Sequence, residues 1–153
     1  MLKPGDKAPS FALKDQNNHT VDSKELLGEG PIVLFFYPKA MTSGCTKESC
    51  HFRDLDSEFR AVGARPVGIS ADSVDRQLKF DSKHSLGFTL LSDPDRRVAG
   101  AFGVKRPGPL FNRRATFVID TDGTVAEAFS SEINMDEHAD RALRALQALQ
   151  ERN

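Results

Sequence analysis

The sequence predicts an α/β fold in which a central mixed β-sheet is flanked by helices. Residues 32–37 (IVLFFY) form a continuous run of apolar, β-branched and aromatic side chains, which is typical of a strand buried on both faces of a sheet. Short apolar runs then alternate with amphipathic stretches, as in units of strand, helix and strand. Two later runs flank Asp122 and Gly123, a pair that favours a tight antiparallel hairpin.

A helix is predicted after the central strand. Pro38 closes the apolar run, and the apolar side chains that follow recur at spacings of three and four among charged residues. This spacing indicates a helix with one face toward the core. We expect the helix to begin between residues 43 and 45 and to end near Gly63. Its core-facing side chains are predicted to be Phe52, Leu55, Phe59 and Val62.

The rest of the chain continues the alternation of strands and helices. Units of strand, helix and strand come first, and a hairpin and a final helix close the fold. The thioredoxin architecture fits this order of elements. The predicted strands are residues 66–70, 88–91, 115–119 and 124–129, and the predicted helices are residues 73–83, residues 136–150 and one or two turns within 95–102.

Charge and length limit the classes of function. With 21 Lys and Arg against 22 Asp and Glu, the net charge is -1, which lacks the basic field of a nucleic-acid or membrane-surface binder. No run of eighteen apolar residues predicts a membrane-spanning helix. Residues 1–13 lack the unbroken apolar core of a signal peptide, so we expect a cytoplasmic protein. Residues 1–153 are expected to form a single domain, as a monomer or weak dimer.

Two cysteines, Cys45 and Cys50, are too few for a secreted disulfide scaffold. Cys45 falls where the helix is predicted to begin, near unpaired backbone N–H groups and the positive end of the helix dipole, which both stabilise a thiolate. Thr42 and Ser43 add hydroxyl groups, and Gly44 lets backbone amides approach closely. This pattern indicates a reactive cysteine.

The spacing of the two cysteines limits how they can bond. In an intact helix, with a rise of about 1.5 Å per residue, α-carbons five residues apart are separated by roughly 8 Å and face different directions. A disulfide needs α-carbons within about 7 Å. Cys45 and Cys50 therefore either never bond or bond through local unwinding of the helix.

Several other uses of the cysteines remain open from the residues alone. A lone cysteine is often a small buried hydrophobic residue, although the polar neighbours of Cys45 argue against burial for packing alone. A thioredoxin-type oxidoreductase would need Cys-x-x-Cys, and zinc would need more thiols than Cys45, Cys50 and His51 provide. A Cys-His hydrolase is conceivable, but solvent-facing histidine is the expectation at His19, His51, His84 and His138.

One segment carries a resemblance to a known family. Residues 38–45 (PKAMTSGC) match the Pro-x-x-x-Thr-x-x-Cys motif of peroxiredoxins. The longer string FFYPKAMTSGCTKESCHFRD resembles the Q-type subfamily, also called bacterioferritin comigratory protein. Other segments agree in order, so the resemblance covers nearly the whole chain. The loop departs from the subfamily at Ala40 and Met41, where acidic residues are usual, and at Ser43, where proline is usual.

The resemblance implies a thiol peroxidase on a thioredoxin-like fold that reduces hydrogen peroxide and alkyl hydroperoxides. In it, Cys45 is the peroxidatic residue, Cys50 is the resolving residue, and Thr42 and Arg114 complete the catalytic site. Thioredoxin or a similar dithiol recycles the enzyme, and neither a flavin nor a metal is implied. Pro38 is expected to support the site by ending the strand and shielding the thiol, and Gly44 by its small size.

The charged residues near the motif have plainer interpretations. Arg114 offers several permanent N–H donors, but without the resemblance it would be taken, with Arg113, as a solvated charge. Thr42 is equally typical of a helix cap. We expect the other charges close to Cys45 in sequence to be solvated, and they are Lys39, Glu48 and Arg53.

Two other hypotheses use the same cysteine pair. One is a non-enzymatic redox sensor or partner-binding module, in which the cysteines switch the helix between two forms without turnover. The other is a purely structural pair, which the geometry of an intact helix disfavours.

Overall fold

The computed structural model describes residues 1–108, 110–132 and 134–152. Within these residues, the strands are β1 (Ala12–Asp15), β2 (Thr20–Asp22), β3 (Ile32–Phe36), β4 (Arg65–Ser70), β5 (Thr89–Ser92), β6 (Ala115–Ile119) and β7 (Val125–Ser130). The helices are α1 (Ser23–Gly28), α2 (Ser43–Asp54), α3 (Asp56–Ala61), α4 (Val74–His84), α5 (Arg97–Phe102) and α6 (Met135–Arg152).

One mixed sheet joins these strands in the order β2-β1-β5-β4-β3-β6-β7. Strands β3, β4 and β5 are parallel neighbours, whereas β6 runs antiparallel to β3 and forms a hairpin with β7. Strand β1 adds an antiparallel edge beside β5 and pairs with β2. The predicted α/β class with a mixed sheet is confirmed.

The central strand divides the core into two layers. All five residues of β3 are buried, and successive side chains point to opposite faces of the sheet. Val33 and Phe35 face a cluster that α2, α3, α4 and α6 cover, and the ring of Phe35 stacks on Phe52 at 4.2 Å between centroids. Leu34 and Phe36 face the other layer, which α5 and α1 cover. Helices therefore flank both faces, as predicted.

The helix predicted to run from 43–45 to Gly63 is in fact two helices. The backbone leaves helical geometry at Leu55, where ψ is 12°, and α3 then begins at Asp56. Phe52 and Phe59 on either side of this break both reach the same cluster, so the apolar spacing continues through it. Periodicity detects which face is buried and is insensitive to one residue of altered ψ.

The first sheet edge was not predicted at all. Strands β1 and β2 have four and three residues, and all of their side chains are exposed or only partly buried. Such short edge strands lack the continuous apolar run from which a buried strand is predicted. The helix α1 that follows, capped by Asp22, has only six residues, which is too short to show a helical period in the sequence.

The predicted hairpin between β6 and β7 is present, but its turn differs in detail. Of Asp122 and Gly123, only Gly123 has a positive φ, at 86°. The Gly123 N–H donates to the Asp120 carbonyl at 2.9 Å, and the pairing shifts register between Val118 and Ile119. Only one residue of the pair therefore needed left-handed backbone freedom.

The sheet register sets the position of the candidate site. Phe36, the last residue of β3, pairs with Ala115, the first residue of β6. Arg114 thus lies beside the carboxyl end of β3, which is the end from which the chain leads into α2. Each helix in the described part of the chain is too short or too polar to cross a membrane.

We predict that Gly68→Ala destabilises the sheet by about 1–3 kcal/mol, because overpacking a full core strains its neighbours. A β-carbon at Gly68 would lie 2.9 Å from side-chain atoms of both Phe35 and Leu90, which are fully buried. Urea unfolding measures the change. Gly100→Ala in α5 is the matched control, since its nearest contact would be Lys105 at 3.9 Å. Equal stability of the two variants would contradict the prediction.

Candidate active site

The candidate site lies where α2 begins. Cys45 is the third residue of this helix, and the Thr46 N–H donates to the Thr42 carbonyl at 2.9 Å, which closes the first turn. The helix starts at Ser43, within the predicted range. Cys45 is fully buried in the cluster around Phe35. Its sulfur therefore lies at the positive end of the helix dipole and is shielded from bulk water.

Arg114 is the polar partner of this sulfur. Its Nη2 donates to Cys45 Sγ at 3.2 Å, and its Nη1 donates to Glu48 Oε1 at 2.8 Å. The side chain is only 7% exposed, so the charge is held inside the protein rather than solvated. The structure thus brings Arg114 to Cys45, and the guanidinium joins two acidic groups on one face of α2.

Glu48 is the site residue that sequence reasoning missed. We expected a solvated charge, but its side chain is fully buried. Burial raises the pKa of Glu48 to about 8, and the neighbouring Arg114 offsets this only in part. The available signal was its spacing, because a residue three positions after Cys45 shares its helix face. Oε2 of this carboxyl has no hydrogen-bond partner among the described residues.

His138 lies behind Glu48, and its burial corrects a second expectation. This histidine was expected to face solvent, but it is fully buried on α6. Its Nε2 donates to the Ser131 carbonyl at 2.8 Å, and its Nδ1 lies 2.7 Å from Thr116 Oγ1 and 3.4 Å from Glu48 Oε2. Burial lowers the pKa of His138, and the Arg114 charge adds to this effect. A neutral ring with its proton on Nε2 fits these contacts.

Thr42 occupies the N-cap position of α2 but does not cap it through its side chain. Its Oγ1 instead donates to the Lys39 carbonyl at 2.8 Å, across the loop that precedes the helix. The hydroxyl proton is therefore committed to the loop, and the oxygen lone pairs can accept from another donor.

Side chains from other parts of the fold hold the loop between β3 and α2 in place. Strand pairing continues to Tyr37, whose N–H donates to Ile69, and stops at Pro38, which has no N–H. The Ala40 N–H donates to Asp72 Oδ2 at 2.7 Å, and Arg76 donates to both the Ala40 carbonyl and Asp72. These contacts fix the backbone just before Met41, which has a positive φ of 65°.

Gly44 lies directly beneath the guanidinium. A β-carbon at this position would stand 3.3 Å from Arg114 Nη2 and 3.5 Å from Met135 Sδ. We expected the glycine to admit backbone amides. The structure shows that it admits an arginine side chain and the start of α6.

Cys50 lies one and a half turns after Cys45 in the same unbroken helix. Both cysteines are free thiols, and Cys50 is partly buried against the Phe35 cluster. The next residue, His51, lies 2.8 Å from Asp140 of α6, so one partly exposed polar contact joins this part of α2 to α6. A bond between the two sulfurs requires α2 to unwind, as the spacing predicts.

The rest of the described chain offers no competing metal centre. No group of three or more His, Cys, Asp or Glu side chains in it is arranged to hold a metal ion.

Comparison with known proteins identifies the family. The sequence model of the AhpC/TSA family matches residues 4–128. The chain belongs to the AhpC/TSA family. It is 52% identical over 151 residues to a putative peroxiredoxin of Mycobacterium tuberculosis, covering 97% of this chain and 98% of that relative. It is therefore a thiol peroxidase, which confirms the enzyme class implied by the motif at residues 38–45.

Two solved structures support the same conclusion. Peroxidoxin BcpB from Mycobacterium tuberculosis matches with a TM-score of 0.94 at 50% identity, covering 97% of this chain and 99% of that chain. The bacterioferritin comigratory protein of Xanthomonas campestris, known for alkyl peroxide reduction activity, matches with a TM-score of 0.85 at 31% identity and 92% coverage of both chains. The thioredoxin-like fold and the resemblance to the Q-type subfamily are confirmed.

We predict that Glu48→Gln becomes progressively more stable, relative to the wild type, between pH 5 and pH 8. The folded-state pKa of Glu48, about 8, exceeds its ordinary value of 4.5. Below pH 4.5 the carboxyl is neutral in both states, and as the pH rises toward 8 burial opposes an ionisation that the unfolded chain allows. The difference should reach roughly a few kcal/mol.

Urea unfolding of reduced protein at several pH values measures this difference. Glu127→Gln is the control, because Glu127 is 30% exposed and pairs with Arg141 on the surface. A difference between Glu48→Gln and wild type that stays constant with pH would contradict the assignment.

Proposed function

We propose that Cys45 is the peroxidatic residue, Cys50 the resolving residue, and Thr42 and Arg114 the groups that bind and polarise the peroxide. The observation that carries this proposal is the 3.2 Å contact between Arg114 Nη2 and Cys45 Sγ at the start of α2. The thiolate attacks one peroxide oxygen, the O–O bond breaks, and the sulfur becomes a sulfenic acid while water or an alcohol leaves.

Arg114 stabilises negative charge both before and during the attack on the peroxide. Before attack, its Nη2 and the positive end of α2 favour the thiolate. During attack, negative charge moves from sulfur to the departing oxygen. A guanidinium that is already fixed beside the sulfur stabilises this charge without any reorganisation of solvent. Gly44 supports this role because any larger residue would push on the guanidinium.

Thr42 is proposed to orient the peroxide. Since its hydroxyl proton is donated to Lys39, its oxygen is left to accept the O–H of an incoming peroxide. Pro38 and the contacts from Asp72 to Ala40 support the site by holding the loop that carries Thr42.

Cys50 is proposed to capture the sulfenic acid as an intramolecular disulfide, with loss of water. This step requires the first turns of α2 to open, and the half-exposed pair of His51 and Asp140 is a weak restraint against that opening. The helix therefore has a closed form for peroxide reduction and an open form for resolution.

Thioredoxin or a similar dithiol is proposed as the reductant that cleaves the disulfide. The substrates are proposed to be hydrogen peroxide and alkyl hydroperoxides, and the activity named for the Xanthomonas campestris relative supports the second class. A sensor that uses the same switch without turnover is less well supported, because the relatives are named as a putative peroxiredoxin and a peroxidoxin.

We further propose that residues 1–153 form a single cytoplasmic domain that is a monomer or weak dimer. One sheet that joins the described strands supports the single domain. Few large apolar side chains are exposed among the described residues, which supports the small assembly, and they are Met1, Leu78, Leu110 and Phe111.

We predict that Cys45→Ser abolishes peroxide consumption by the protein with thioredoxin, its reductase and NADPH, because no nucleophile remains. Cys50→Ser is the matched control, since it makes the same chemical change on the same helix and should keep its first turnover. Following NADPH oxidation measures the steady turnover, and the loss of added peroxide measures the first turnover of Cys50→Ser. An unchanged rate in Cys45→Ser would refute the peroxidatic role.

We predict that one equivalent of peroxide converts wild type to a Cys45–Cys50 disulfide and leaves Cys50→Ser one oxygen atom heavier, as a sulfenic acid. Mass spectrometry of intact and digested protein distinguishes the products. The wild type alone should lose helical circular dichroism as α2 opens. Absence of a peptide that joins Cys45 to Cys50 would show that the resolving role is wrong.

A further inference from the structure

The buried group of Arg114, Glu48 and His138 has more ionisable atoms than thiolate stabilisation alone requires. One guanidinium faces two acidic groups, the Cys45 thiol and the Glu48 carboxyl, and all three side chains are almost fully shielded from water. One buried positive charge and one buried negative charge neutralise each other. A second buried negative charge without its own partner is costly, so the two acids compete for Arg114.

The competition couples the two ionisations. If Cys45 is a thiolate, the carboxyl of Glu48 is the group that must carry a proton to keep the site neutral. If Cys45 is uncharged, Glu48 can ionise against Arg114 Nη1, 2.8 Å from its Oε1. The raised pKa of Glu48 is consistent with a carboxyl that readily holds a proton in the neutral range.

His138 supplies the hydrogen-bond acceptor for the protonated carboxyl of Glu48. Its Nε2–H is fixed on the Ser131 carbonyl, so Nδ1 is an acceptor. In this structure the Thr116 hydroxyl donates to Nδ1, with its Oγ1 at 2.7 Å. Glu48 Oε2 lies 3.4 Å from the same nitrogen and has no hydrogen-bond partner among the residues described. Because the Thr116 hydroxyl can rotate, Nδ1 can accept from either group.

We propose that Glu48 and Cys45 share one negative charge across Arg114, and that Glu48 carries a proton, donated to His138 Nδ1, whenever Cys45 is a thiolate. Oxidation of Cys45 to the sulfenic acid removes the thiolate charge while α2 is still closed, and Glu48 then releases its proton. Glu48 and His138 act through Arg114, so they are positioning residues.

The proton balance closes within the site. Cys45 thiolate, Cys50 thiol, protonated Glu48 and a hydroperoxide give the disulfide, the Glu48 carboxylate, an alcohol and water. The two sulfurs are oxidised by two electrons, the O–O bond is reduced, and the net charge stays the same. When a dithiol reduces the disulfide, the proton returns to Glu48 as Cys45 becomes a thiolate again.

Other charged groups surround the pair and contribute to its field. Glu132, on the segment before α6, raises the pKa of Glu48, and Arg114 lowers it. Glu137, on α6, raises the pKa of His138. The titratable and charged groups facing the pair from the packed elements are Cys45 on α2, Arg114 just before β6, Glu132 on that segment, and Glu137 on α6.

The inference rests on the proposed function, and infrared difference spectroscopy tests it separately. Reduced wild type at pH 7 is oxidised with one equivalent of hydrogen peroxide, and mass spectrometry confirms the disulfide. We expect the carbonyl band of one protonated carboxylic acid to disappear. In Glu48→Gln that band should be absent before and after oxidation, whereas Glu127→Gln should behave as the wild type.

The two proposals fail in different ways. A disulfide that forms with no loss of a carboxylic acid band, or a band that persists in Glu48→Gln, overturns the shared charge and leaves the peroxidase mechanism intact. Failure of Cys45 to oxidise at all overturns the mechanism itself.

His138→Leu tests the acceptor. Without Nδ1, the protonated carboxyl forms a weaker hydrogen bond, so its carbonyl band should move to higher frequency. The pH at which the reaction with peroxide reaches half its maximal rate should also move upward, because the protonated form of Glu48 is less favoured. An unshifted band in this variant overturns the role of His138, and the Glu48→Gln comparison stands even if this variant does not fold.

Discussion

The structure of this site depends on one buried guanidinium. Arg114 contacts the sulfur of Cys45 and the carboxyl of Glu48 at the same time, and its own side chain is only 7% exposed. A charge in this position must be paired, so every group around it is constrained in charge or in size. A side chain at position 44 would crowd Arg114, and the acid at position 48 is its buried ion-pair partner.

The proposed mechanism gives α2 two tasks. In the closed form, α2 presents its first N–H groups and its dipole to Cys45, which needs an intact first turn. In the open form that we propose for resolution, the same turns separate so that Cys50 reaches Cys45. The loop before α2 is fixed independently, by contacts from Asp72, which follows β4, and from Arg76 on α4, so unwinding α2 need not displace it.

Much of the fold could be predicted because local patterns report it directly. The fully apolar run of β3, the hairpin around Gly123 and the stripe on α6 all depend on residues close in sequence. The edge strands β1 and β2 escaped prediction because half-exposed strands of three or four residues carry little hydrophobic signal. The break at Leu55 escaped because it left the buried face unchanged.

By itself the sequence determined the fold class, the motif around Cys45 and the spacing that separates Cys45 from Cys50, since each is a property of neighbouring residues. Only the tertiary structure decided that Glu48 and His138 are buried against each other. These residues are ninety positions apart, and either would be solvated on an isolated helix. They meet because α2 and α6 pack on the same face of the sheet, where both side chains are shielded from water and from other partners that solvent would supply.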